Sequence, residues 1–466
     1  DWVGPDSSAR GVFDAVDGSQ IGVAGSLGFD RAAMVDYAKS VGGPALRAMT
    51  FHERAKMLKA LAFSLSEQKD ALYETSYATG ATLKDHMIDV DGGIGTMLVI
   101  ASKGRREMPN AHVYVDGQVE QLSRSGQFVG QHICTPKLGV AVHINAFNFP
   151  VWGMLEKMAP ALLAGMPVIV KPATATCQVT ELAFQMIIAS GLLPAGAVQL
   201  ITGDLGNLLD HLGGQDVVSF TGSEATGRHL RTHPALIRNA VHFMAEQDSL
   251  NASVLGVDVT VGSAEFDLFV KEVHREITVK AGQKCTAVRR VMVPDHLLDS
   301  VQAALIERLA NTPIGNPRHP DTRMGALVSL SQRRDVLEKA AQIGAEAECV
   351  FGEGDMPVVI DADAEKGAFV APRLFRCETP DQAKAVHDIE AFGPVSTLMG
   401  YRDAGHASQL LNRGQGSLVA SVFTADAGFA RDMVLGSAAY HGRLYFNNAT
   451  SAKESTGHGS PMPHLV

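Results

Sequence analysis

The stretch GVAVHINAFNFP, Gly139 to Pro150, opens with small and β-branched apolar residues and closes on Asn148, Phe149 and Pro150. The apolar run is short and unbroken, the pattern of a strand buried on both faces. The segment that follows, WGMLEKMAPALLAG, carries apolar positions at helical spacing. The pair then repeats: PVIVKPA with TELAFQMIIASG, AVQLITG with GNLLDHLG, and finally DVVSFTG. Buried strands alternating with helices predict a parallel, doubly wound α/β sheet built by right-handed crossovers. Ligands of such sheets sit beyond the carboxyl ends of the strands, and Asn148, Lys171 and Gly222 all fall there.

Working outward, a second α/β unit is expected from Glu246 onward. SVLGVD, RRVMVP, ECVFG, SLVASVFTAD and GRLYFNN read as its strands, with FDLFVKEVHREITVKAG as a helix between them. Toward the amino terminus, RAMTFHERAKMLKALAFSLSEQKDALYETSYATG reads as helix with Gly80 as its stop. VYVDGQVEQLSRSGQFVGQH changes to short alternation, with turn residues at Asp116–Gly117 and Ser125–Gly126. That pattern predicts an extended hairpin projecting from the body. The expected division is residues 1–112 with 138–245, a hairpin at 113–137, and a second domain at 246–466.

Composition narrows the class. The chain has 466 residues, of which 46% are hydrophobic and 19% charged, as in a compact protein with a sizeable core. Its formal net charge is −10 and no basic stripe is present, which speaks against a nucleic-acid partner. The most apolar stretch, from Val151 to Val170, is interrupted by Glu156 and Lys157. A membrane span needs about 18 apolar residues without such breaks, so no membrane partner is expected. The 5 cysteines are scattered with no CxxC pair, so no metal site is expected and free thiols in a reducing compartment are. With no charged-then-apolar leader after Asp1, the expectation is a cytoplasmic protein.

Five groups stand out for chemistry. Cys285 sits in KAGQKCTA, an otherwise apolar stretch. A thiolate attacks a carbonyl near neutral pH better than any other side chain, although a buried cysteine also packs as a small hydrophobe. In SFTGSEATG, Gly222 and Ser223 open a helix after a strand, and free N–H groups there suit a diphosphate. The pattern departs from G-x-G-x-x-G, so by itself it reads equally as an ordinary helix start. Lys171 in KPATAT ends a buried strand, where it suits a ribose or phosphate oxygen, or plain solvation. Asn148 lies among apolar residues, and a buried amide without partners costs about 1–3 kcal/mol. A turn satisfies it in the ordinary case; an oxyanion does so in a catalytic one. Glu246 in FMAEQDSLN leaves an apolar strand, as would a general base with a pKa raised by burial, or an ion-paired surface group.

Together these groups carry a resemblance. FNFP, KPA, LPAGAVQLITG, FTGS, a glutamate, GQKC and EAFGPV occur in the order and rough spacing of the aldehyde dehydrogenase superfamily, over essentially the whole chain. VAVHINAFNFP, DSLN, VKAGQKCTA and ESTGHGSPMP further resemble the semialdehyde dehydrogenase domain of bifunctional phenylacetate-degradation proteins. They resemble equally its stand-alone relative in the aerobic benzoyl-CoA pathway. The resemblance implies a Rossmann-like cofactor domain (1–112 and 138–245), an oligomerisation hairpin (113–137) and an α/β catalytic domain (246–466).

By position, Cys285 is similar to the family's nucleophile, Asn148 and the Cys285 N–H to its oxyanion hole, and Glu246 to the base that activates water. Lys171 matches the lysine at the cofactor ribose, and Gly222 with Ser223 the diphosphate turn. Glu390 and Phe392 match the residues that hold the nicotinamide ribose and flank the ring. Many NAD-using relatives place a glutamate three residues after the lysine; here that place is Thr174. Without a carboxylate, a 2′-phosphate meets no like charge, so NADP is the expected cofactor, with NAD the alternative. The implied substrate is a CoA-linked semialdehyde. The resemblance also implies a homodimer or higher homo-oligomer, and a hydratase-like domain after Val466 in the fused members. Two departures stand out: QDSLN replaces the usual glycine-glycine-lysine after the glutamate, and Lys284 adjoins the cysteine. Rival readings are an aldehyde dehydrogenase for another small aldehyde, release of the thioester by free coenzyme A, and a non-catalytic scaffold on the same fold; retention of Glu246 and of Cys285 weighs against the last two in turn.

Overall fold

The computed structural model describes residues 4, 9–26, 28–354 and 356–460. They divide into two compact units: residues 1–12, 20–76 and 86–247, and residues 13–19, 77–85 and 248–466. The passage from one to the other falls after Gln247, so Glu246 goes with the first unit. Two short segments expected in the first domain, 13–19 and 77–85, belong to the second.

The alternation that starts at Gly139 becomes a five-stranded, wholly parallel sheet in the first unit. Its strands are β1 (Ala141–Ile144), β2 (Val168–Lys171), β3 (Val198–Leu200), β4 (Val217–Thr221) and β5 (His242–Glu246). Their order in space is β3-β2-β1-β4-β5, so the winding reverses between β1 and β4. Such a reversal opens a crevice at the strand ends. Helix Pro150–Leu163 follows β1 and begins with proline at its first position, where a missing N–H costs nothing. The Asp89 carboxylate accepts from the Val151 and Trp152 N–H groups, at 3.1 and 2.7 Å. Met154, Leu155, Met158 and Leu162 then pack against Leu58, Leu61 and Leu65 of helix Phe51–Ser66.

The second unit holds a seven-stranded sheet: β6 (Ala252–Leu255), β7 (Arg290–Pro294), β8 (Glu348–Phe351), β9 (Arg373–Cys377), β10 (Val395–Tyr401), β11 (Ser417–Phe423) and β12 (His441–Asn447). The order is β8-β9-β10-β7-β6-β11-β12, with only the β8–β9 pair antiparallel. β9 and β10 went unread in the sequence, though β10 is buried at every residue. GNLLDHLG, expected as a helix, forms a single 3₁₀ turn at Leu208–His211.

The hairpin runs through Tyr114–Gln121 and Val129–Cys134. Its turn lies at residues 123–126, where Gly126 at φ 71° donates to the Ser123 carbonyl. Asp116–Gly117 is not a turn: Asp116 pairs with His132 and the register shifts between Asp116 and Glu120. Here a glycine at φ 73° serves an irregularity inside a strand. Among the described residues no helix is long and apolar enough to cross a membrane.

β7 is fixed at its first residue. Arg290 is fully buried and donates to the carbonyls of Leu250, Leu410 and Leu411 at 2.8, 2.9 and 3.1 Å. Burial pulls its guanidinium down to about 9, which leaves it charged at neutral pH. Arg290→Met strips three interior carbonyls of their donors. The expected loss is about 3–5 kcal/mol in urea unfolding, and a change under about 1 kcal/mol contradicts this account of the anchor.

Candidate active site

In the first unit the candidates gather at the carboxyl end of the sheet. Lys171 is the last residue of β2, in register with Ile144 of β1. Its ammonium is half-buried and makes no hydrogen bond or ion pair among the described residues. Desolvation lowers its pKa, against the attraction of Asp204. A cation so placed favours an anionic partner. Thr174 opens the 3₁₀ turn Thr174–Thr176 three residues on and is also half-buried.

β4 ends at Thr221, and Ser223 caps the helix Glu224–Arg231 by accepting from the Thr226 N–H. A Cβ at Gly222 would lie 2.6 Å from the Phe220 ring, so only glycine allows this tight exit. Gly227, a turn later, would collide with the Gln247 side chain at 2.0 Å. Residues 223–226 at the start of the helix are exposed, while Gly227 is buried beneath the Gln247 side chain. Glu246 ends β5 opposite Thr221. Its carbonyl accepts from the Gly222 N–H at 3.1 Å, and its carboxylate from the Thr221 hydroxyl at 3.5 Å. Asn148 is 6% exposed, and its amide has no hydrogen-bond partner among the described residues. The ordinary reading, in which a turn satisfies that amide, does not hold.

Cys285 of the second unit follows a distorted backbone. After helix Ala264–Thr278, residues 280, 281 and 282 take φ of 55°, 49° and 69°. Left-handed conformation costs about 1–2 kcal/mol per residue with a side chain. Hydrogen bonds hold it in place. The Lys280 N–H donates to Asp85 at 2.8 Å, and the Gln283 amide ties the Lys280 carbonyl to the Val328 N–H at 3.1 and 3.0 Å. Gly282 is required here, since a Cβ would lie 2.2 Å from the Gly393 carbonyl oxygen. Beyond the bend Cys285 is half-buried, and the Asn251 amide donates to its carbonyl at 2.7 Å.

Glu390 is almost fully buried just upstream of β10. One carboxylate oxygen accepts from the Ser249 N–H at 2.8 Å and the other from Arg289 at 3.1 Å. Burial raises its pKa, while the Arg289 charge and the Ser249 N–H oppose that rise. The Arg289 guanidinium also lies 5.4 Å from the centre of the Phe392 ring. Lys284 turns away from the cysteine to pair with Glu276 at 2.7 Å. Burial disfavours the Glu276 charge, but Lys284 and His458 prevail and hold its pKa below the ordinary value. His458 donates from Nε2 to the Thr286 carbonyl and bonds Ser421 through Nδ1.

Burial pushes the Cys177 thiol up to about 11 and raises Cys349 and Cys377 as well, while Cys134 lies exposed on the hairpin. Two surface depressions that share Gln409 and Asn412 contain none of the candidates. Among the described residues no cluster of histidine, cysteine and carboxylates is grouped for a metal ion.

Dinucleotide-type strand ends in one α/β unit and a thiol on a constrained loop in the other define the class of nicotinamide-dependent oxidoreductases that act on a carbonyl. Within that class the chain belongs to the aldehyde dehydrogenase family, whose profile it matches over residues 2–459. It is 42% identical, over 99% of its length and 90% of the relative's, to a 3,4-dehydroadipyl-CoA semialdehyde dehydrogenase of Aromatoleum evansii. A 145-residue segment, 31% of this chain, is 48% identical to 41% of the protein MaoC of Klebsiella aerogenes. The solved betaine aldehyde dehydrogenase of Staphylococcus aureus, in complex with NAD+, superposes with a TM-score of 0.84 at 26% identity. That match covers 96% of this chain and 85% of the other.

The residues fit the nicotinamide cofactor that the family uses. Lys171 offers a charge with no ion-pair partner among the described residues, Gly222 and Ser223 the start of a helix, and Glu390 a carboxylate that accepts one protein hydrogen bond on each oxygen. Sequence reading passed over Arg289, the hydrogen-bonding role of Gln283 and the Glu156–Lys157 pair on helix Pro150–Leu163. Burial raises the Glu156 carboxyl; Lys157 opposes this and Glu246 adds to it. A signal existed for Arg289 alone: two arginines opening an otherwise apolar strand.

The pH response of the loop support is open to test. Burial and the Lys284 charge push His458 down to about 4, against the pull of Glu276. The unfolded chain then binds a proton that the folded one does not, so this contribution is complete above the ordinary histidine value and fades as pH falls toward 4. His458→Gln should reduce the slope of unfolding free energy against pH near pH 5 by about 1.4 kcal/mol per unit, one proton's worth. An unchanged slope contradicts this.

Proposed function

We propose that the protein oxidises a CoA-linked aliphatic semialdehyde to the corresponding acid, in the breakdown of an aromatic acyl-CoA. The observation that carries the reading is a half-buried cysteine on a backbone bend that the surrounding hydrogen bonds overdetermine. The substrate class rests on 42% identity along nearly the whole chain to a semialdehyde dehydrogenase of that type.

In this proposal the first unit is the cofactor-binding domain and the second the catalytic one. The Cys285 thiolate adds to the aldehyde carbon and forms a thiohemiacetal. Its oxyanion receives hydrogen bonds from the Asn148 amide and the Cys285 N–H. An amide without a protein partner suits this, because a donor already committed elsewhere would have to break a bond first. The nicotinamide, when bound, accepts the two electrons and the hydrogen lost from the substrate carbon. Oxidation leaves a thioester on Cys285, and Glu246 takes a proton from the water that cleaves it. Lys171, Gly222 and Ser223 hold the ribose and diphosphate of the cofactor, and Glu390 and Phe392 its nicotinamide end.

NADP is the proposed cofactor. Thr174 puts a hydroxyl where a carboxylate would repel a 2′-phosphate, and the unpaired Lys171 lies three residues away. The reaction is placed in the cytoplasm, in keeping with five free thiols. Exposed Val119, Phe128 and Ile133 on the hairpin support a homodimer or larger assembly. A fused hydratase-like domain, as in the phenylacetate group, belongs to the same proposal.

Glu246→Gln separates the steps. Expected is a burst of reduced cofactor near one equivalent per active site, with steady turnover slowed by about 10²–10⁴-fold. Loss of both burst and turnover counts against the base assignment, and full turnover rejects it. For the cofactor, Thr174→Glu should shift the ratio of kcat/KM from NADP toward NAD by at least about tenfold, or about 1.4 kcal/mol. A ratio that does not move removes the basis for the NADP assignment.

A further inference from the structure

The Arg289 side chain is 5% exposed and commits four of its N–H groups in four directions. Nε donates to Glu390 Oε1 at 3.1 Å, and one terminal nitrogen to the Gly393 carbonyl at 2.7 Å. The other terminal nitrogen donates to the carbonyls of Gly282 at 2.9 Å and Lys284 at 3.4 Å. Its flat face meets Phe392. One planar group therefore touches both the segment around Glu390 and the loop that leads into Cys285.

The Lys284 carbonyl belongs to the same peptide plane as the Cys285 N–H. A trans peptide is rigid, so fixing the direction of its carbonyl fixes the direction of its N–H. The Ala287 N–H is a second donor to that carbonyl at 3.1 Å, and Asn251 fixes the next plane through the Cys285 carbonyl. On the other side, Glu390 has lone pairs to spare: four acceptor sites, one taken on each oxygen by Arg289 and Ser249. What remains can accept ribose hydroxyls only while the carboxylate stays charged and oriented. Arg289 supplies the charge and half of the orientation.

We infer that Arg289 is a positioning residue which holds the cofactor-facing carboxylate of Glu390 and the peptide plane of the Cys285 N–H in one fixed relation. The inference rests on the roles proposed above for Cys285 and Glu390. A lysine keeps the charge but replaces a planar fork with a single point donor, so it can satisfy Glu390 without reaching the Gly393, Gly282 and Lys284 carbonyls together.

Arg289→Lys therefore divides the two functions. Expected is a KM for the nicotinamide cofactor within about threefold of wild type and a kcat lowered by about 10–100-fold, because the oxyanion donor is misdirected. Arg289→Gln should lose both, with a cofactor KM raised at least about tenfold, and adding Glu390→Gln should raise that KM no further. If Arg289→Lys restores both constants, only the charge matters and the inference fails. It also fails if the KM defects of Arg289→Gln and Glu390→Gln add.

Should neither arginine variant fold, hydrogen exchange reads the same link. Saturating cofactor should slow exchange of the 284–286 amides in the wild-type protein and not in Glu390→Gln; equal protection in both overturns the inference. Cys285→Ser keeps the underlying reading separate. Its retention of full activity removes the proposed chemistry whatever Arg289 does, whereas its inactivity beside an unaffected Arg289→Lys sinks the inference alone.

Discussion

A left-handed run of three residues immediately upstream of a cysteine is the constraint on which the second unit is organised. Unsupported, residues 280 and 281 would relax toward right-handed conformations and carry Cys285 with them. The Lys280 N–H is instead held by Asp85, the Lys280 carbonyl by the Gln283 amide that Val328 anchors, and the Gly282 carbonyl by the Arg289 guanidinium. Gly282 lies against Gly393 so closely that neither chain can shift without the other. Strain of this kind persists only where the surroundings overdetermine it, and it concentrates at functional sites.

Charge in this unit follows the same discipline. Arg290, Arg289 with Glu390, and Lys284 with Glu276 are all nearly inaccessible to water, and each is answered by carbonyls or by an opposite charge. Buried pairs contribute little net stability compared with apolar packing, but losing one partner is costly. Their value here is directional. They allow a few admissible arrangements of the loop where an oily interior would tolerate many. The first unit answers its buried Arg54 in the same way, through the Leu46, Met49 and Leu163 carbonyls, but leaves Lys171 and Asn148 without such partners at its strand ends.

The five-stranded sheet was legible because its strands are apolar runs separated by helices of ordinary length, and because its candidates fall just past strand ends. Asn148, Lys171 and Gly222 fall at strand ends by that rhythm, whereas Glu246, expected to open the second unit, closes β5 of the first. β9 and β10 escaped because RLFRC mixes charge into a buried strand and VSTLMGY shows no alternation. Asp116–Gly117 misled because its turn chemistry also suits a register shift within a hairpin strand. Arg289 could not be found at all from spacing, since its partners are 101 and 104 residues ahead and only 5 and 7 behind. Propensity reports what a residue prefers locally; it is silent on which far carbonyl will need a donor.

The sulfur atoms show one more consequence of burial. Desolvation raises the Cys177, Cys349 and Cys377 thiols above the ordinary value, Cys177 to about 11, and a thiol is a poorer nucleophile than a thiolate. An enzyme that handles reactive carbonyls all day is thereby shielded from its own substrates at those positions. Of the 5 cysteines, these three are the harder for an alkylating electrophile to modify.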